Sequence, residues 1–148
     1  MTPDNYKFSM KLNKFITHRL ELNGEVREKI DYILSSTQLL EEKLGAIVIL
    51  LSPSFKFNLE SVSKFLSYFR SKVNIQKYEF YIAIEFRNKN WFNIEIFDLL
   101  KKYNVAIVVA QSSRYPGTKE ITANFAYIRL HGPDKLFASS YSDEQLIQ

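Results

Sequence analysis

The segment from Tyr78 to Phe92 alternates between apolar and other side chains and then brings two opposite charges together. Successive side chains of a β-strand point to opposite faces, so the pattern predicts a strand with two different faces. One face carries Phe80, Ile82, Ile84 and Phe86, and the other carries Tyr81, Ala83, Glu85 and Arg87. Such a strand packs its apolar face on a hydrophobic layer and delivers Glu85 and Arg87 at its carboxyl end.

Two further segments show the same division. Phe8, Met10 and Leu12 alternate with Ser9 and Lys11, and Ala126, Ile128 and Leu130 alternate with Tyr127, Arg129 and His131. A parallel sheet explains all three segments if helices cover its apolar face and its other face lines a barrel interior. Ligands of such sheets bind at the carboxyl ends of the strands. We therefore expect Lys11, Glu85, Arg87, Arg129 and His131 to lie close together at that end.

The composition predicts a folded, soluble protein. The chain has 148 residues, of which 46% are hydrophobic, so we expect a single partial-barrel domain over residues 1–148. It contains no cysteine, which excludes disulfides, thiolate metal sites and cysteine nucleophiles and suits a reducing compartment. The first residues lack the apolar core of a signal peptide, and the apolar runs are too short to span a bilayer. These features predict a cytoplasmic protein without a membrane partner.

The charge balance is mildly basic. Twenty lysines and arginines face sixteen acidic residues, for a net charge of +4, and the basic residues are spread along the chain. This excess permits an anionic small molecule as a partner without requiring one. Basic and aromatic residues also interleave in YKF, FKF and KYEFY, as in nucleic-acid binders, but strand alternation explains these segments. Nucleic acid is therefore an open partner that the sequence does not favour.

Strand and helix signals alternate along the chain, which is typical of a parallel α/β fold. We predict strands over residues 6–12, 46–51, 78–86, 105–110 and 125–130. Helices are predicted over residues 26–43, from a cap at Asn58, and over residues 91–103, with Gly45 ending the first. The fold class predicted is a truncated TIM-type (β/α) barrel with about five mostly parallel strands and three to four helices.

A barrel of this type needs eight strands and roughly 250 residues, so we expect this chain to form only part of one. Ser142 and Gln145 have the spacing of a capping box, which predicts that a helix begins just before the last residue, Gln148. An open sheet leaves unpaired strand edges, and such edges invite association. We therefore expect a homo-oligomer, or a companion chain that covers the edges.

Several motifs resemble one known family. These are the opening TPDNYKFSMKL with ITH after it, KLG before a strand, PSF after it, EFR followed by WF, and the closing YIRLHG. Together they resemble the YecE-like proteins, also called domain of unknown function seventy-two, over the central part of the family domain. The resemblance implies a TIM-type barrel in a metal-dependent-hydrolase-like class without an established activity. The matching positions are Lys11, Thr17, His18, Pro53, Glu85, Arg87, Trp91, Arg129, His131 and Gly132.

The chain departs from the family pattern at three places. It has Leu50, Leu51, Ser52 and Pro53 where relatives have Gln-Leu-Pro-Pro, Asn88 and Lys89 where histidine and proline follow EFR, and Gln111 where an aspartate is expected. The resemblance therefore implies that one amide and one carboxylate are missing from the inner face.

The residue types at the carboxyl ends allow acid–base chemistry beside an anion. Glu85 can act as a general acid or base and Arg87 as an anion clamp, or the two can form a structural ion pair. His131 can transfer a proton near neutral pH or simply donate a hydrogen bond. The predicted set has Glu85 and His131 in catalytic roles, and the predicted substrate or anion contacts are Lys11, Arg87, Arg129, His18 and Trp91.

Other ligands find less support. Trp91 can stack on a base or sugar, but an aromatic at the start of a helix more often fills the strand-to-helix corner, which we favour. His18 and His131 are the only histidines, and no HxH or HExxH motif accompanies them, so no metal site is predicted within the chain. The cofactor is unknown. Any metal would need ligands from segments outside the chain.

Three functional hypotheses follow. The chain is an enzyme or former enzyme that binds or hydrolyses a phosphate- or carboxylate-bearing compound, a binder of nucleic-acid phosphodiesters, or a non-catalytic subunit of a split barrel.

Overall fold

A computed structural model of the protein describes residues 2–18, 24–74 and 77–147. Its five strands are β1 (Phe8–Lys11), β2 (Leu44–Leu50), β3 (Tyr81–Glu85), β4 (Ala106–Gln111) and β5 (Tyr127–Leu130). Within these ranges the α-helices are α1 (Lys14–Thr17), α2 (Gly24–Thr37), α3 (Leu59–Val73), α4 (Ile94–Lys102) and α5 (Asp143–Ile147), and 3₁₀ segments cover Gln38–Lys43 and Lys89–Trp91.

The five strands form one sheet in the order β1-β2-β3-β4-β5, and every neighbouring pair is parallel. The sheet is strongly curved, because the hydroxyl of Ser9 on β1 lies 2.6 Å from the hydroxyl of Tyr127 on β5, although these strands form opposite edges. The structure is therefore a half-barrel, and the predicted α/β fold class with a truncated TIM-type barrel is confirmed. Five α-helices, two of them a single turn, accompany the strands in the described ranges, against the three to four predicted.

The two faces of the sheet carry different side chains. On the outer face, large apolar residues of the strands, such as Ile47, Ile82 and Ile84, pack in the main core. Phe65 and Phe69 of α3 belong to the same core. On the inner face the packed side chains are smaller, a cluster of Val48, Ala83, Ala106 and Val108. The alternation predicted for β3 is thus the alternation observed.

Polar side chains cap the first residues of α3, α4 and α5. The side chain of Asn58 accepts a hydrogen bond from the backbone N–H of Ser61, as predicted for a helix cap, and Asn93 does the same for Ile96. Ser142 and Gln145 form the predicted capping box, because each accepts a hydrogen bond from the other's backbone N–H. These residues place the start of each helix.

The predicted helix over residues 26–43 was too long. Helix α2 ends at Thr37, and the 3₁₀ segment that follows contains Glu41 with a φ of 48°, which is outside the helical region. Gly45 does not cap this helix but lies within β2. A Cβ at Gly45 would lie 3.1 Å from the Cβ of Lys7, so the glycine serves the close approach of the chain preceding β1.

The outer face of β5 is uncovered in the described residues. Ile128 and Leu130 point to the side on which helices pack elsewhere in the sheet, yet they are 63% and 51% exposed. Single exposed apolar residues are common, but here both belong to the outer face of an edge strand.

None of the helices in residues 2–18, 24–74 and 77–147 has the length and apolar character needed to cross a membrane.

Candidate anion site at the strand carboxyl ends

Glu85 is the centre of a charged cluster at the carboxyl end of β3. Its side chain is only 1% exposed, and both of its oxygens contact guanidinium groups. Arg87 Nε lies 3.0 Å from Glu85 Oε1, and Arg129 Nη1 of β5 contacts Glu85 Oε2. A carboxylate is almost never buried without such partners, because desolvation of an unpaired charge is costly. The pairing therefore explains how Glu85 remains in the interior.

Small side chains on β4 allow the pairing between β3 and β5. These strands are not neighbours, since β4 lies between them. The inner side chains of β4 nearest the site are those of Val108 and Ala110, and the small side chain of Ala110, which pairs in register with Arg129, leaves room above β4. A long side chain such as that of Arg129 can then reach across β4 to Glu85. The small inner residues of β4 are thus part of the site, and the sequence reading did not identify them.

His131 completes the cluster one step beyond β5. Its Nε2 lies 3.6 Å from Glu85 Oε1, which is longer than a hydrogen bond, and the side chain is 4% exposed. Nε2 has no hydrogen-bond partner among the described residues. Burial lowers the pKa of His131; the charge of Glu85 raises it, while the charges of Arg129 and Arg87 lower it further. The imidazole is therefore neutral near pH 7, and the cluster keeps one positive charge.

A loop after β4 orders Arg87. The guanidinium carbon of Arg87 lies 4.4 Å from the centre of the Tyr115 ring, a cation–π contact that restrains the guanidinium plane. Ser112 accepts the backbone N–H of Tyr115, and a Cβ on Gly117 would lie 2.2 Å from the carbonyl oxygen of Ala110, so the loop folds back onto β4. The sequence carried no signal for the contact of Tyr115 with Arg87.

A second loop closes over His131. Gly132 has a φ of 102°, and its N–H donates to the hydroxyl of Tyr141, which in turn hydrogen-bonds Gln111 Oε1 at the end of β4. The ring of Phe137 meets the His131 ring edge-on at 5.2 Å between centroids. Gln111, at the position where the resemblance implied an aspartate, therefore anchors this loop.

Three of the seven predicted site residues do not join the cluster. Lys11 pairs in register with Val48, which pairs with Ala83, so it lies one inward position before Glu85, and no hydrogen bond or ion pair connects it to the cluster in the described residues. His18 is an exposed residue at the end of α1. The convergence predicted for the strand ends therefore holds for Glu85, Arg87, Arg129 and His131 only.

Trp91 is the third. It is 1% exposed and packs against aromatic rings, stacked on Phe86 and Phe55 and tilted against Phe57. Its indole N–H donates to the carbonyl oxygen of Phe55. The structure gives Trp91 the corner-filling position that the sequence favoured, rather than a position in contact with the cluster.

Within the described ranges, no three His, Cys, Asp or Glu side chains are grouped so that they could hold a metal ion. A small cleft lies beside Leu44 and Phe80, at the amino ends of β2 and β3. It is at the opposite end of these strands from Glu85. The chemistry available at the carboxyl ends is therefore that of the two arginines, the carboxylate and the imidazole.

Comparison with known proteins identifies the family. The sequence profile of the family described as protein of unknown function DUF72 matches residues 1–148. The chain belongs to the DUF72 family. No curated protein matches it. The resemblance of its motifs to the YecE-like proteins is thereby confirmed, because this is the same family.

Solved DUF72 structures show the same fold. One from Thermotoga maritima is 24% identical with a TM-score of 0.80, and the match covers 99% of this chain and 60% of that protein. One from Enterococcus faecalis is 23% identical with a TM-score of 0.71, covering 98% of this chain and 64% of that protein. The chain therefore spans about three-fifths of the length of these DUF72 relatives.

Proposed function

We propose that the carboxyl ends of β3 and β5 form an anion site, in which Arg87 and Arg129 bind the phosphate or carboxylate group of a small compound. The excess of one positive charge supports this proposal, because two guanidiniums contact a single carboxylate. A guanidinium carries five N–H donors, and only one from each arginine is used on Glu85. The others suit the planar, bidentate recognition of an oxyanion.

In this proposal Glu85 positions the two arginines. Both of its oxygens are engaged, so its geometry serves to hold guanidiniums rather than to reach a substrate proton. His131 is the group with a free ring nitrogen, and it is the better candidate for proton transfer. The catalytic roles predicted for Glu85 as base and His131 as proton donor stay predictions, as does hydrolysis itself.

Calorimetric titration with inorganic phosphate tests the anion site. The Arg129→Gln variant should bind phosphate about 10- to 100-fold more weakly, because a hydrogen bond to a charged group contributes roughly 1.5–3 kcal/mol. Lys64→Gln is the matched control, since it removes the same charge from an exposed position on α3. Equal weakening in both variants would show a general charge effect and argue against a site at Arg129.

We also propose that β5 forms a contact with a further polypeptide, either a second copy or a companion chain. The exposure of Ile128 and Leu130 on an edge strand supports this proposal. Light scattering after size exclusion should show an assembly that Ile128→Glu weakens and Tyr32→Glu, an exposed position on α2, does not. A protein that is monomeric at all concentrations would contradict a homo-oligomer. Co-expression with candidate companion chains tests the alternative, in which a different chain covers β5.

A further inference from the structure

Phe137 has a backbone conformation that its residue type rarely adopts. Its φ is +59°, in the left-handed region, where a bulky side chain is an outlier. Hydrogen bonds hold the backbone in place, because the N–H of Phe137 donates to the carbonyl oxygen of His131 at 2.6 Å. Glycine adopts a positive φ without strain, and Gly132 does so in the same loop. The loop therefore accepts strain at position 137 in order to carry a phenyl ring there.

Burial does not explain this ring. Phe137 is 69% exposed, and its ring meets that of His131 edge-on, with 5.2 Å between centroids and 83° between planes. A phenyl group stabilises a fold mainly through the apolar surface that it removes from water. Phe137 leaves most of this surface in water, so the strain has no matching gain in folding. Strained residues of this kind cluster at functional sites.

The ring of Phe137 lies next to the charged cluster. His131, on which it packs, has its Nε2 3.6 Å from Glu85 Oε1. The same carboxylate contacts Arg87 and Arg129. Arg129 and His131 are two residues apart on one side of an extended chain, so roughly 6–7 Å separates their backbones. A benzene ring joined to a phosphate or carboxylate group spans a similar length, so an anion at Arg129 can extend its ring over the exposed ring of Phe137.

We propose that the anion site takes oxyanions that are carried by a planar apolar ring, and that Phe137 packs on this ring while Arg87 and Arg129 bind the anion. Aromatic rings attract each other in offset-stacked and edge-to-face arrangements, and an exposed ring has room for either. Two ligand sources share this chemistry, aryl phosphates and aryl carboxylates. The inference rests on the proposed anion site and adds a specificity-determining residue to it.

Matched pairs of anions test the preference for a ring. The full chain is titrated at pH 8 and constant ionic strength with phenyl phosphate against methyl phosphate, and with benzoate against acetate. Both members of each pair carry the same charge at this pH, so they differ in the ring. Imidazole resonances followed by NMR report binding, and a His18→Gln variant assigns them because the chain has two histidines. The ring ligand of each pair should bind about tenfold more tightly, as expected for an aromatic contact that buries part of the ligand.

Substitution of Phe137 assigns the preference to its ring. Phe137→Ala removes the ring, so phenyl phosphate and benzoate should lose their advantage over the small anions. Tyr32→Ala is the matched control, since it removes an aromatic side chain that is 74% exposed on α2, and it should keep the full preference. A preference that is unchanged in Phe137→Ala would overturn the role of Phe137.

Thermal unfolding tests the strain at position 137. Phe137→Gly and Phe137→Ala both lack the ring, but only glycine adopts a φ of +59° without strain. The Tm of Phe137→Gly should therefore exceed that of Phe137→Ala by roughly 2–4 °C. Equal Tm values would show that the position is not strained and would overturn the inference drawn from it.

The possible outcomes separate this inference from the anion site. A preference in the phosphate pair alone supports aryl phosphates as the ligand class, and one in the carboxylate pair alone supports aryl carboxylates. Equal affinities within both pairs would overturn the role of the ring in ligand binding and leave the anion site intact. No binding of any of the four anions would overturn the anion site and the ring preference with it.

Discussion

Replacement of Glu85 by glutamine should destabilise the protein far more than loss of an exposed carboxylate. The change keeps the shape of the side chain but removes the charge that two guanidiniums contact. A hydrogen bond to a charged group contributes roughly 1.5–3 kcal/mol. Arg87 is 16% exposed and Arg129 29% exposed, so both can partly rehydrate, and the lower end applies to each contact. The expected loss is about 3 kcal/mol of unfolding free energy.

Thermal unfolding followed by circular dichroism measures this loss. For a domain of this size 1 kcal/mol corresponds to roughly 2–4 °C, so the Tm of Glu85→Gln should fall by about 6–12 °C. The control is Glu60→Gln, whose carboxylate forms an exposed pair with Lys64 one helical turn away and should leave Tm unchanged. A double-mutant cycle with Arg129→Gln isolates the coupling between the two side chains. A decrease no larger than that of the control would refute the reasoning that the cluster is a buried ion network.

Three further predictions concern the surroundings of the cluster. Burial lowers the pKa of His131 below the unfolded value of 6.5, so the unfolded chain binds the extra proton and stability should fall as pH decreases from 6.5 towards the lowered folded value, by up to about 1.4 kcal/mol per pH unit. The unfolding free energy, measured by urea unfolding at several pH values in this range, should change less with pH in His131→Gln than in the wild type. An equal change with pH in both proteins would contradict the prediction. Gly132→Ala should lose about 1–3 kcal/mol, because its φ is +102° and a Cβ would lie 2.5 Å from a carbonyl oxygen, whereas Gly24→Ala, with no atom within 4 Å, should not destabilise. Trp91→Ala should lose about 3–5 kcal/mol in chemical denaturation and Ile94→Ala, at an exposed position, less than about 0.5, and similar losses would mean that Trp91 does not fill the corner.

Side-chain direction was the part of the site that the sequence could predict. Alternation along a strand is a local property, so the inward positions of Glu85, Arg87, Arg129 and His131 follow from the pattern alone. The same reasoning identified the strands and the parallel order, because strand and helix units repeat along the chain. The half-barrel confirms these predictions.

The register of β1 and the residues that pack on Trp91 could not be predicted from the sequence. Lys11 points inward like Glu85, but its level along the barrel depends on pairing of β1 with β2, which one sequence does not determine. Trp91 is buried by Phe55, a residue 36 positions earlier in the chain, and no local pattern predicts that contact. The end of α2 at Thr37 was missed because the apolar periodicity continues into the 3₁₀ segment.

Strand β4, which lies between β3 and β5, explains why the residues of the charged cluster at Glu85 meet. Adjacent strands lie about 4.8 Å apart, so side chains of β3 and β5 face each other over a gap of nearly twice that distance in a flat sheet. Curvature shortens the gap on the inner face, as the contact between Ser9 and Tyr127 shows, and the small side chain of Ala110 keeps it open. A buried carboxylate on one side and a long cationic side chain on the other can then pair across β4. The anion site thus depends on the curvature of the sheet and on small residues in its fourth strand as much as on the charged residues themselves.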